Sequence, residues 1–123
     1  MAKIKSHRDL IVWQKSMDLA EDVYRLTSGF PREELYRMTS QLTRAAISVP
    51  ANIAEGHARG TRRDYANFLA IAKGSLMETE TFLMLAERLG YGKQNPIDRT
   101  LSLVTEVSKM ITAIRSKLLA SSI

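Results

Sequence analysis

Three groups of basic residues in this chain have no acid among them. Lys3, Lys5 and Arg8 precede the first carboxylate, Asp9. Arg59, Arg62 and Arg63 crowd a single turn. Lys109, Arg115 and Lys117 follow Glu106, the last acid in the sequence. Any one group is what a solvated surface displays. Together, in a chain of 18 Lys and Arg against 13 Asp and Glu, net charge +5, they point to contact with a polyanion. Aromatic residues scarcely interleave with these cations. Tyr65 is near Arg62 and Arg63, but its helical spacing reads as core, so the expected recognition is of shape and charge rather than of bases.

A second pattern is a polar line at Gln41, Arg44, Ser48, Asn52 and Glu55, with Arg59 extending it if the helix continues. Steps of three and four residues, at about 100° each, put these side chains on one narrow face beside an apolar stripe. A solvated flank, a hydrogen-bond network at an interface and the wall of an active site all fit the spacing. Catalysis has the thinnest support, because nothing pairs a nucleophile with a base. The two histidines, His7 and His57, have no ligand or triad partner at helical spacing, and His57 reads as a solvated helix end. There is no cysteine and no glycine-rich phosphate loop. The expectation is a protein that is not an enzyme, with no metal and no cofactor.

The elements that must carry these residues read as four helices, at about 10–28, 32–57, 61–90 and 96–119, after a basic arm over 1–9. In the first, Trp13, Met17, Ala20 and Tyr24 repeat at helical spacing, and Leu19, Val23 and Leu26 widen the stripe. Gly29 is expected as a left-handed cap and Pro31 as the stop. In the second, Leu35, Met38, Leu42, Ala45, Val49 and Ile53 form the apolar stripe. Pro50 deletes one hydrogen bond within it, so a kink is expected there. Gly56 to Gly60 is the break. The third opens on Thr61 as cap with Asp64 at its third position, and Phe68, Ala72, Leu76, Leu83 and Ala86 mark its core face. The fourth takes Asn95 as cap and Pro96 at its first position. There Ile97, Val104, Ile111 and Leu118 repeat every seven residues, with Val107 and Ile114 between. At 123 residues this is one domain over 1–123. The short connections make it an all-α, up-and-down antiparallel four-helix bundle.

Helix two is apolar on a second side, at Tyr36, Ile47, Ala51 and Ala54. A helix apolar on two sides is buried on two sides, and the small Ala51 and Ala54 permit close approach by a neighbour. An oligomer is therefore expected. No stretch of about 18 apolar residues exists to span a membrane, and no signal peptide is apparent, so the chain reads as cytoplasmic.

The segment Gln41-Leu-Thr-Arg-Ala-Ala-Ile-Ser-Val-Pro-Ala-Asn-Ile-Ala-Glu-Gly56, with Phe30-Pro31 and Glu34-Leu35-Tyr36 before it, resembles the four-helix bundle proteins of the bacterial 23S rRNA-intervening-sequence family. Tyr65 to Leu69, Ala72 to Ser75, Glu78, Glu80, Thr81 and Leu89-Gly90-Tyr91 continue the likeness, and Trp13 and Tyr24 match positions in helix one. The most specific part is Asn52-Ile53-Ala54-Glu55-Gly56 after Ser48-Val49-Pro50. The resemblance implies a homopentameric ring with no established enzymatic activity. The accessory variability determinant of diversity-generating retroelements is similar in fold, and it implies a basic pentamer that binds nucleic acid and a reverse transcriptase.

These patterns lead to a non-enzymatic oligomer that binds RNA or DNA. Arg59, Arg62, Arg63, Lys3, Lys5 and Arg8 supply phosphate contacts. Gln41, Arg44, Ser48, Pro50, Asn52, Glu55 and Gly56, with Ile47, Ala51 and Ala54, form the motif face and subunit contact. The alternative is a scaffold for a protein partner such as a reverse transcriptase.

Overall fold

The computed structural model describes residues 3–120, apart from the side chain of Asn95. Met1, Ala2 and residues 121–123 of the expected chain-long domain lie outside the described residues. Four α-helices carry the fold: α1 (Ile11–Thr27), α2 (Ser40–Ala58), α3 (Arg62–Leu89) and α4 (Gln94–Ala120). The described residues contain no strand. Each helix packs on the next, and α4 closes back on α1. Cross-helix bonds set the directions. Along α3 and α4, Arg115 Nε donates to Ala66 O at 2.9 Å and Lys73 Nζ to Thr112 Oγ1 at 2.5 Å, and along α2 and α3, Ser75 bonds Ser48 while Gly56 meets Phe68. Neighbours therefore run antiparallel, up and down.

Each helix buries one stripe. Leu19, Val23, Leu42, Val49, Ile53, Leu69, Leu76, Leu83, Val104 and Ile111 are fully enclosed in one continuous core. The expected stripes of α3 and α4 lie inward: Ala72, Leu76, Leu83 and Ala86 are buried, as are Ile97, Val104, Val107 and Ile111, while Phe68, Ile114 and Leu118 are half-buried.

In α1 the inward stripe is Val12, Ser16, Leu19, Val23 and Leu26. The stripe expected to lead, Trp13–Met17–Ala20–Tyr24, turns partly outward: Met17 and Tyr24 are exposed, Trp13 and Ala20 half-buried. Ser16 masked the true stripe, because its hydroxyl is satisfied locally by Trp13 O at 2.8 Å and needs no solvent. Gly29 is not left-handed either. Helix α1 ends on right-handed Ser28, and Phe30 N reaches Thr27 O at 3.0 Å.

The second helix begins later than expected. Arg32–Glu34 is a 3-10 turn, and a π-helical turn, Leu35–Thr39, follows before α2 proper. Arg37, at φ −116° and ψ −106°, breaks the helical run. The break rotates Leu35 out of the stripe, leaving it 51% exposed. Beyond it, α2 is continuous across the buried Pro50 and past Gly56 to Ala58.

Thr61 caps α3, its Oγ1 accepting from Asp64 N at 3.1 Å. Gly90 ends α3 in the left-handed region at φ 77°, where a residue with a Cβ is strained. Helix α4 starts at Gln94, one residue ahead of the expected cap, so Pro96 is its third residue instead of its first. Proline is tolerated there because amides in the first turn have no intrahelical partner.

Candidate nucleic-acid interface

The arm Lys3–Arg8 is anchored by a short 3-10 helix, His7–Asp9. Ser6 caps it and Asp9 answers, its Oδ2 accepting from Lys5 N at 2.8 Å and Ser6 N at 3.3 Å. The His7 ring meets Trp13 edge-on at 5.0 Å, and Gln14 Nε2 donates to Arg8 O at 2.8 Å. These contacts hold the arm at the start of α1, where it also packs on α2.

That point is the end of the bundle where α2 turns into α3. It is also where α4 finishes, as the bond from Arg115 to Ala66 shows. The first two basic groups, with Arg115 and Lys117 of the third, therefore gather at one end, while Lys109 lies outside it, about 9 Å back along α4 from Arg115 at 1.5 Å per residue. Lys3, Lys5, Arg8, Arg59, Arg62, Arg63, Arg115 and Lys117 are here, against Asp9, Glu55 and Asp64. Eight cations against three carboxylates leave an excess of five, which is the whole formal net charge of the chain. The rest of the molecule balances.

The three carboxylates are engaged locally: Asp9 by backbone amides, Glu55 by Arg59 at 3.1 Å, and Asp64 at the positive end of α3. Among the described residues, no carboxylate lies within ion-pair distance of Lys3, Lys5, Arg8, Arg62 or Arg63. Arg59 is held more tightly than its neighbours, since its guanidinium also sits 5.0 Å from the ring centre of Phe68. His57 is half-buried rather than solvated, edge-on to Tyr65 at 5.6 Å. The Tyr65 hydroxyl is buried without a partner, and burial raises its pKa.

The polar line on α2 divides. Gln41, Arg44 and Glu55 are exposed at its ends. Its middle is half-buried against α3, where Ser75 Oγ and Asn52 Nδ2 both donate to Ser48 Oγ at 2.9 Å. Asn52 Nδ2 also reaches Ser48 O at 2.7 Å, and Thr79 Oγ1 donates to Ser75 O at 2.8 Å. Ser48, held by Asn52 of its own helix, thus fastens α2 to α3. Gly56 belongs to the same contact: a Cβ there would lie 2.5 Å from Phe68 Cβ. The second apolar side of α2 has no cover in the single chain. Tyr36 is 91% exposed, Ile47 and Ala51 are exposed, and Ala54 is half-buried. Met17 and Tyr24 of α1 join Ile47 and Pro50 along an apolar groove.

Residues with no pairing legible in the sequence also converge. Tyr91 OH donates to Glu34 Oε2 at 3.1 Å, which raises the Tyr91 pKa, helped by desolvation and the nearby charges of Glu34 and Glu33. Arg25, Lys93 and Arg99 share a cleft at the opposite end of the bundle. No local signal could have paired them, because they come from α1, a connection and α4.

The model of the 23S rRNA-intervening sequence protein family matches residues 8–113. The chain belongs to that family. It is similar to a crystal structure, at 1.70 Å resolution, of a protein of unknown function from the S23 ribosomal protein family of Bacteroides thetaiotaomicron VPI-5482. The two share 28% identity with a TM-score of 0.76, over 85% of this chain and 98% of the other. No curated protein matches the chain. Of the segment Asn52-Ile53-Ala54-Glu55-Gly56, Ile53 and Gly56 are buried, Asn52 and Ala54 half-buried and Glu55 exposed, and the basic end lies just beyond it. Among the described residues no helix is long and apolar enough to cross a membrane, and no cluster of three or more His, Cys, Asp or Glu could hold a metal ion.

Proposed function

We propose that this family member is a non-enzymatic, homo-oligomeric, cytoplasmic protein that binds nucleic acid, RNA in particular, through the basic end of its bundle. The observation that carries the reading is the concentration of the entire net charge at that end, with five cations free of carboxylates. Phosphate groups are the natural complement, since each neutralised phosphate releases condensed counterions. Among the described residues the aromatic side chains at that end, Trp13, Tyr65 and Phe68, are half-buried, which favours recognition of backbone and shape. Labelled RNA and DNA titrated at several salt concentrations test it. Binding that weakens steeply with salt is expected. Absence of binding at low salt, or binding indifferent to salt, overturns it.

Self-assembly, as a pentamer by family resemblance, is supported by two uncovered apolar surfaces: the α1–α2 groove at Met17, Tyr24 and Ile47, and the outer face of α3 at Ile71, Met77, Met84 and Leu85. Two unlike surfaces on one subunit suit a head-to-tail contact, which closes into a ring when the rotation permits. The same surfaces favour a second reading, a scaffold for a protein partner such as a reverse transcriptase. Recovery of one protein partner after nuclease treatment, with no affinity of the pure protein for nucleic acid, would decide for the scaffold.

A further inference from the structure

At the end of the bundle away from the basic cap, the end of α1 and the start of α4 enclose a cleft of about 630 Å³. That is the size of pockets that hold small molecules. Arg25, Lys93 and Arg99 line it, with Asp22 the one carboxylate among its lining residues.

Apart from the exposed Glu33, the carboxylates around this end are committed elsewhere. Glu34 accepts from Tyr91 OH and from Met38 N, and Glu87 and Asp98 both accept from Gln94 Nε2. Glu21 pairs with Arg25 at 3.0 Å. Among the described residues, Lys93 and Arg99 therefore have no carboxylate within ion-pair distance, although this end of the molecule is neutral as a whole. The lining keeps an excess of two positive charges. Part of the wall is apolar, formed by Leu26 and Pro96. Gly92, at φ 74°, lies against the core side chains beneath: a Cβ there would come within 3.1 Å of Leu26 Cδ1.

We infer that this cleft binds a small phosphorylated molecule of nucleotide size, with the phosphates on Lys93 and Arg99 and its less polar part against Pro96. A doubly charged phosphate matches the excess of the lining, and a guanidinium and an ammonium are the side chains suited to it. Asp22, 3.7 Å from Arg25, remains an acceptor for sugar hydroxyls. The cleft is separated from the basic cap by the length of α3, about 42 Å for 28 residues at 1.5 Å each. Small-molecule binding here is thus separable from nucleic-acid binding there.

The test is calorimetric titration of the full chain with ADP at low salt, with adenosine as the uncharged comparison. ADP is expected to bind saturably at one site per chain, and adenosine at least tenfold more weakly. Arg99→Glu and Lys93→Glu replace exposed side chains and should leave the helical circular dichroism intact while each weakens ADP tenfold or more. The double variant Arg62→Glu/Arg63→Glu, at the opposite end, should leave ADP affinity within twofold. No saturable binding up to millimolar ADP, equal affinity for adenosine, or an equal loss in the Arg62/Arg63 variant overturns the assignment.

Discussion

Gly56 and Phe68 approach so closely that a Cβ on the glycine would stand 2.5 Å from the Phe68 Cβ, with Tyr65 Cδ1 at 3.3 Å. Gly56 is therefore a spacer that sets how tightly α2 and α3 meet, about two turns along α2 from the Ser48–Ser75 bond. Gly56→Ala gains helix propensity worth about 1 kcal/mol. It must also displace a Cβ fixed to the α3 backbone, and such overpacking costs about 1–3 kcal/mol. Net destabilisation of up to about 2 kcal/mol is expected in urea unfolding. Gly74, which has nothing within 4 Å of its Cβ position, provides the contrast: Gly74→Ala should stabilise by up to about 1 kcal/mol.

Charge reversal at the basic end should act through salt. Arg62→Glu/Arg63→Glu is expected to weaken RNA binding and to reduce the slope of log affinity against log salt by about one for each phosphate no longer neutralised. Arg32→Glu, at the charge-balanced end, should change neither. Filter binding at three salt concentrations measures both, and an unchanged slope in the double variant would remove these arginines from the interface.

Assembly should depend on the uncovered face of α2. Ala51 is exposed, so Ala51→Arg leaves the monomer core untouched and is expected to dissociate the oligomer with full helical content retained. Light scattering at micromolar protein reports the mass. A variant that stays assembled assigns the contact to another face, with the α3 surface tested next by Met84→Arg.

Two tyrosines give the alkaline limb of stability a sign. Tyr91 is raised by its bond to Glu34, and Tyr65 by burial. A raised folded-state pKa means the native state keeps its proton where the unfolded chain has released it. Stability is then complete below about pH 10, the ordinary tyrosine value, and falls as pH rises through the folded pKa. Tyr91→Phe and Tyr65→Phe should each remove a late component from the ultraviolet phenolate titration and flatten the loss of stability above pH 10.

Much of the fold was legible because helical periodicity is local. The stripe Leu42–Ala45–Val49–Ile53 and the seven-residue repeat of α4 each require a helix with one inward face, whatever packs on it. Periodicity misleads where a neighbour decides. Ser16 lies on the inward line of α1 because Trp13 O satisfies its hydroxyl, whereas Met17 and Tyr24 face outward into a groove with α2. Leu35 left its stripe because the backbone at Arg37 departs from the helix, which side-chain types do not record.

The candidate site divides the same way. The amino-acid sequence alone determined that three basic groups lack acids and that Gln41 to Glu55 share a face, since charge and spacing are properties of the chain. Only the tertiary structure decided that these groups, Lys109 apart, form one charged cap, because antiparallel packing is what brings the start of α1, the α2–α3 turn and the end of α4 together. It also decided that Ser48 and Asn52 bond within the chain while Gln41, Arg44 and Glu55 face outward. The cleft of Arg25, Lys93 and Arg99 is wholly tertiary: residues up to 74 positions apart meet there only because α1 and α4 run antiparallel.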